Sequence, residues 1–269
     1  METAFVLGGG GVLGAHEVGM LRALEEAGIR PDLVLGTSIG ALNGALVACG
    51  GDAVKQLTSL WLSDVVRTAF AGNFLTRLST LARTGTHLHP IGPLRSVLTS
   101  VVPFQTIEEL PVPFQCVAAS VERARAHWFT SGPLVDSVLA SCAVPGLLPP
   151  VRLDGQHFFD GGLVHSIPVG RAVQLGARRI FVLHVGRVEH PLRAPRRPWE
   201  VGLVAFEIAR RHRFGEEMES LPDDVEVHVL PTGSTAPTSP FRYRDLSRIS
   251  AWIDQAYTAS SRYLRTSAV

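Results

Sequence analysis

The 269 residues suffice for one large α/β domain or two small ones, and a hydrophobic content of 46% provides for a sizeable core. A formal net charge of +1 excludes the clear basic excess of a nucleic-acid-binding domain, so no nucleic-acid partner is expected. No uninterrupted apolar stretch approaches the roughly 20 residues of a membrane-spanning helix; any lipid is met from the water side, by peripheral membrane contact.

The chain opens on METAFVLGGGG, which lacks the basic n-region and long apolar run of a secretory signal. Thr3 to Leu7 read as a short buried strand, followed by Gly8 to Gly11. Ala15 to Ala27 has helical periodicity, with Val18, Leu21 and Leu24 on one face and Gly28 as its stop. Asp32 to Leu35 is a second apolar strand, and Ala41 to Ala48 a helix of small apolar residues. Strand, turn, helix, strand, turn, helix is the pattern of a parallel sheet with helices on its faces.

From Asp52 to Val102 the chain is helical and loop-rich, with Leu57, Leu60, Leu75, Leu78, Leu81, Leu94 and Leu98 as core or cover. Phe114 to Ala119 and Ala126 to Phe129 are strands, Pro133 to Ala140 a short helix, and Gln156 to Phe159 a strand running into Asp160-Gly161-Gly162. Arg179 to Val185 is a strong strand. Glu189 to Pro198, rich in proline and arginine, reads as a surface loop. A long helix spans Glu200 to Ser220. The stretch Trp199 to Phe214 sets Val201, Leu203, Val204, Phe206, Ile208 and Phe214 beside Arg210, Arg211 and Arg213, the pattern of a core-packed helix with an arginine-bearing outer face or of a helix lying on an anionic membrane. Val225 to Leu230 is a last strand, Thr232 to Pro240 a polar connection, and Asp245 to Leu264 a closing helix. Without an internal repeat or a clean boundary, one domain over 1–269 is expected. Cys49, Cys116 and Cys142 are odd in number and widely spaced, with neither a disulfide framework nor paired ligand spacing. They read as buried, reduced thiols of a cytoplasmic protein.

Three segments carry chemistry. Gly9-x-Gly11-x-x-Gly14, between a strand and a helix, matches a dinucleotide fingerprint. That fingerprint needs an acidic residue at the end of the second strand; Asp32 lies at its start, so a nucleotide is disfavoured. Successive glycine N–H groups equally form an oxyanion hole, and neighbouring parallel strands would set this loop beside Ser38. Gly36-Thr37-Ser38-Ile39-Gly40 is a G-x-S-x-G segment at a strand-to-helix junction, which describes a nucleophile elbow; alone, it also reads as a turn with Ser38 capping the helix. A nucleophilic serine needs a base. Asp160 ends an apolar strand, where a carboxylate is costly unless hydrogen-bonded or used, although Asp160-Gly161 alone reads as a common turn.

Together these segments resemble the patatin-like phospholipases. The stretch Ala140-Ser141-Cys142-Ala143-Val144-Pro145-Gly146 is similar to that family's A-S-x-A-x-P segment, and Pro168 matches a proline after its D-G-G. The likeness covers roughly residues 4 to 185, leaving 186–269 as a C-terminal extension. It implies an α/β fold, doubly wound, with a mainly parallel central sheet and helices on both faces. It also implies a serine acyl hydrolase acting on a lipid or acyl-ester substrate. Ser38 would be the nucleophile and Asp160 the base; Gly9, Gly10 and Gly11 would form the oxyanion hole, with Gly14, Gly36, Gly40, Gly161 and Gly162 supporting the motifs. Neither a metal nor another cofactor is required. The sequence departs from the family at Leu13, where a cation is usual, and at His165 and Ser166, where asparagines are common.

Two other readings stand beside this one. An ordinary α/β-hydrolase triad would use Ser38, Asp160 and His184, His212 or His228, although such folds place several strands before the elbow. A non-catalytic module would hold a nucleotide or lipid phosphate on the glycine loop. His16, His157 and His165, near the motifs, are expected to be surface or hydrogen-bonding residues.

Overall fold

The structure is a computed structural model describing residues 2–64, 79–80, 82–185, 192, 194–195, 198–233 and 248–267. Leu75, Leu78 and Leu81, most of the loop at 189–198, most of the connection at 232–240 and the expected start of the closing helix at 245–247 lie outside the described residues.

The first half alternates β1 (Thr3–Leu7), α1 (Ala15–Glu26), β2 (Leu33–Thr37), α2 (Ile39–Ala48), α3 (Ala53–Leu62) and α4 (Gly92–Val101). There follow β3 (Phe114–Ser120), β4 (Arg125–Phe129), α5 (Leu134–Ser141), β5 (Val151–Leu153), β6 (Gln156–Asp160), α6 (Val169–Gln174), β7 (Arg179–Leu183), α7 (Pro198–Glu219), β8 (Glu226–Val229) and α8 (Ile249–Thr266). The eight strands form one mixed sheet of order β5-β6-β3-β2-β1-β7-β8, with β4 also on β3. Pairing is parallel from β3 through β2, β1 and β7 to β8 and antiparallel among β3, β4, β5 and β6.

Helices cover both faces, and the strands show it residue by residue. Phe5, Leu7, Val34, Phe181 and Leu183 enter the larger core with α1, α2 and α8, while Ala4, Val6, Leu33, Leu35, Ile180 and Val182 enter a second core with α6 and α7. Successive side chains point to opposite faces, so strands buried on both sides read as continuous apolar runs. Helix α1 lies so close to α8 that a Cβ on Gly19 would stand 2.1 Å from the Ile253 carbonyl oxygen.

The register of β3 decides where the site forms. Cys116 and Val117 pair with both β4 and β2, so those two strands lie on opposite edges. Ala118 to Ser120 pair with both β4 and β6, so β6 shares the edge held by β2. Strand β2 ends with Thr37 opposite Val117, and the antiparallel β6 ends with Asp160 opposite Ala118. The two strands therefore meet head to head, and the residues at their tips are delivered to one point.

Candidate active site

Ser38 stands at that point in a backbone conformation most residues avoid, φ 57 and ψ −125. Strain of this kind costs on the order of 1–3 kcal/mol and persists where the surroundings impose it. The surroundings are identifiable. A Cβ on Gly36 would lie 2.5 Å from Ala41 Cα, and one on Gly40 2.3 Å from the Leu7 carbonyl oxygen. These glycines let strand, turn and helix close on one another. Gly14 is tight against Ile39, at 2.7 Å for its would-be Cβ, and Gly161 against the Val117 carbonyl, at 2.1 Å. Four motif glycines are thus fixed by lack of space.

The Ser38 hydroxyl donates to Asp160 Oδ2 at 2.6 Å. The other carboxylate oxygen, Oδ1, accepts the Gly162 N–H at 2.7 Å. Asp160 is buried, and burial pushes its pKa from 3.8 up to about 6, against the two hydrogen bonds, which lower it. The carboxylate is thereby a better proton acceptor than an exposed one.

Residues from the A-S-x-A-x-P segment bracket both groups, and the sequence assigned them no role. Ser141 Oγ accepts the Ser38 N–H at 2.9 Å, and the Cys142 thiol donates to the Ser38 carbonyl at 3.0 Å. The Ala143 carbonyl accepts the Asp160 N–H at 2.9 Å. One short stretch therefore holds nucleophile and carboxylate at a common distance. Cys142 and Cys116 are buried thiols with pKa values raised by desolvation; Cys49 is half-buried, its thiol pushed up to about 11. All three are free.

The glycine loop lies over the elbow, and a Cβ on Gly9 would come within 3.3 Å of Ser38 Cβ and 3.6 Å of Ser166 Oγ. The Gly8 N–H donates to the Leu183 carbonyl and the Gly9 N–H to the Ser166 carbonyl. Gly11 has φ +56, which favours glycine, and a Cβ there would meet nothing within 4 Å. Leu13 is buried in the larger core. Asn43 anchors the end of the loop: its Nδ2 donates to the Gly14 carbonyl at 3.1 Å and to Glu17 Oε2 at 2.7 Å, while Trp61 Nε1 donates to its Oδ1 at 3.0 Å. Burial raises the Glu17 pKa well above the usual carboxylate range. Asp32 is at the far end of the sheet, accepting the N–H groups of Glu2 and Thr3.

The candidate histidines have other partners. His157 is bound to Glu122 and His212 to Glu216, both on the surface. His228 stacks on Phe181, and His16 is buried against Trp252 with Nδ1 on the Leu13 carbonyl. His184 follows β7, its ring 6.0 Å from that of Phe214 and its Nδ1 3.1 Å from where a Cβ on Gly8 would stand. His165 bonds Glu217. Both Asp160 oxygens are occupied by groups other than imidazole. The arginines of α7 are engaged within the chain: Arg210 and Arg211 bond Glu207 of the same helix, and Arg213 bonds main-chain carbonyls. Among the described residues no three His, Cys, Asp or Glu side chains converge as a metal-ligand set.

A family model described as Patatin-like phospholipase matches residues 5–173. The chain is 36% identical over 197 residues to Lysophospholipase nte1 of Emericella nidulans, covering 70% of this chain and 12% of that protein. It is 34% identical over 198 residues to Lysophospholipase nte1 of Neurospora crassa, with the same two coverages. The chain thus spans about an eighth of the length of these relatives. Among solved structures it is similar to VipD from Legionella pneumophila, with 15% identity, a TM-score of 0.49 and coverage of 98% of this chain and 67% of that one.

Proposed function

The chain belongs to the patatin-like phospholipase family, and from that premise we propose that it is a serine acyl hydrolase cleaving lipid carboxylic esters, as a phospholipase A, lysophospholipase or lipase does, through a Ser38–Asp160 dyad. The observation that carries the proposal is the 2.6 Å hydrogen bond from Ser38 Oγ to Asp160 Oδ2.

In the proposed reaction Ser38 Oγ attacks the ester carbonyl carbon while its proton passes to Asp160. The tetrahedral oxyanion is met by N–H groups at the start of α2, from Ile39 onward, and by the glycine loop. Because the Gly9 N–H already donates to Ser166, the loop donors we assign are Gly10 and Gly11, with Gly9 giving the close approach to Ser38. Asp160 returns its proton to the departing alcohol, leaving an acyl-serine. Water then attacks the acyl carbonyl, again losing a proton to Asp160, which passes it to Ser38 Oγ as the bond to the acyl group breaks and the acid departs. Because Asp160 acts as a carboxylate, the rate rises with pH through its pKa near 6.

Peripheral contact with a lipid surface is part of the proposal, through apolar side chains rather than charge. Val201 and Ile208 on α7 are 54% and 56% exposed, whereas the neighbouring arginines are engaged within the chain. No described helix is long and apolar enough to cross a membrane.

The test is a substrate panel, from short nitrophenyl esters to phospholipid vesicles, on wild type and Ser38→Ala, with labelling by a fluorophosphonate probe. Wild type should label and hydrolyse, and Ser38→Ala should do neither while keeping its fold. Hydrolysis retained by the purified mutant would sink the assignment; a wild type that neither labels nor hydrolyses would favour a binding module.

A further inference from the structure

Helix α7 lies beyond the matched residues 5–173, yet its last turns reach back to the segment that follows Asp160. Arg213 Nη1 donates to the carbonyl oxygens of Leu163 and Val164, both at 2.6 Å. One helical turn on, the Glu217 carboxylate is 2.9 Å from His165 Nδ1 and accepts the Gly170 N–H at 2.9 Å. Residues 213 and 217 stand on one face of the helix, and Phe214 and Met218, beside them, pack on the core formed by Ile167, Val169 and Ala172. Two side chains of one helix thus hold four groups between 163 and 170. The same segment is tied to the elbow, where Thr37 Oγ donates to the His165 carbonyl at 2.8 Å. It begins at Gly161 and Gly162, whose second N–H fixes Asp160 Oδ1.

Charge-assisted bonds of this kind are shorter and stronger than neutral ones. They join a helix to a segment with little regular structure of its own, a 3-10 turn at Gly161–Leu163. We propose that Arg213 and Glu217 are positioning residues for the candidate base: they clamp 163–170 so that the Gly162 N–H meets one oxygen of Asp160 and the other oxygen faces Ser38. This rests on the dyad reading. It gives the C-terminal extension a part in catalysis without touching the reacting atoms.

The pH dependence of turnover distinguishes positioning from mere support. The Gly162 N–H bond lowers the Asp160 pKa, so loosening it moves the acid limb of the profile to higher pH, whereas loss of folded protein scales the whole profile. Among the described residues the titratable groups around Asp160 are few. Cys142, just after α5, and Cys116 on β3 are thiols raised by burial. His127 on β4 pairs with Ala118 from the other edge, and burial lowers its pKa. His165 and Glu217 are in the clamp itself.

The experiment measures kcat and KM for a short nitrophenyl ester from pH 4 to 9, with Tm alongside, on full-length Arg213→Ala, Arg213→Lys and Glu217→Gln, with His212→Ala as the control on the same helix. Arg213→Ala should lose about tenfold or more in kcat, the scale of a small misplacement, with KM little changed and the acid midpoint raised. Arg213→Lys should recover most of this, and His212→Ala should match wild type. His165→Gln keeps a donor for Glu217 but cannot titrate, so the limb should persist in it. An Arg213→Ala enzyme with wild-type kcat and midpoint overturns the proposal, as does a limb that vanishes in His165→Gln. Should Arg213→Ala fail to fold, Glu217→Gln decides by the same midpoint. Failure of the dyad itself would show separately, as activity surviving in Ser38→Ala.

Discussion

The elbow and the aspartate loop do comparable work by different means. The elbow is largely local: β2, its glycines and α2 are contiguous, and the close approaches at Ser38 come from within a few residues and from the end of β1, with Ser141 and Cys142 adding two bonds to its main chain. The aspartate loop has no such internal frame. Asp160 arrives on an antiparallel strand, and its surroundings are assembled from α5, β3 and, on the far side, α7. A nucleophile can thus be shaped by its own sequence neighbourhood, while a base paired with it is placed by the rest of the molecule.

The sharpest test of that contrast is Asp160→Asn, which keeps shape and removes the proton acceptor. Activity should fall nearly to that of Ser38→Ala, since groups acting as a unit do not lose additively. Stability should move the other way. Burial raises the Asp160 pKa above its unfolded value, so the folded state holds the proton more tightly; its stability falls as pH rises from 3.8 to about 6, and the penalty is complete above that. Chemical denaturation at pH 8 should find Asp160→Asn more stable by about 1–3 kcal/mol, the gap narrowing as pH is lowered towards 4. Wild-type turnover in this variant would break the comparison outright.

A smaller loss is expected at the elbow's roof. Gly9→Val places carbon where only 3.3 Å separates a Cβ from Ser38, and turnover should drop about a hundredfold, the scale of a misplaced reacting group. Gly11→Ala meets no neighbour within 4 Å and carries only the cost of its positive φ, about 1 kcal/mol, so it should stay active. Equal, wild-type rates in both would leave the loop without a role.

The smallest effects should come from the histidines. His157→Gln, His184→Asn, His212→Gln and His228→Asn should each cost well under the roughly hundredfold of a lost general base. One of them, folded and as inactive as Ser38→Ala, would replace the dyad with a triad.

The same division governs what the sequence discloses. Strand β1 has the bounds read from its apolar run, and both motif turns lie where glycine and serine placed them. Strand β2 continues through Gly36 to Thr37, beyond the expected end at Leu35, because glycine fits the strand against α2. Strand β5 went unread: it is three residues long and follows two prolines. Its signal was Asp154-Gly155, both at positive φ, which is the chemistry of a two-residue hairpin turn. The bracket on Ser38 comes from Ser141, 103 residues away, and the clamp joins Leu163 to Arg213, 50 residues apart. No local pattern encodes such partners. His16 was expected at the surface or in a hydrogen bond; it makes the bond but is buried beneath Trp252.

The position of β7 bears on how the protein can be cut. This strand lies at 179–183, past the matched region, and pairs along the whole of β1, with Leu183 receiving the Gly8 N–H. A fragment trimmed at residue 173 would turn the central strand into an open edge, a template for intermolecular pairing, and would free the root of the glycine loop. The smallest piece worth excising, for fusion or for display, therefore runs through β7, and one that must also keep the clamp runs through Glu217.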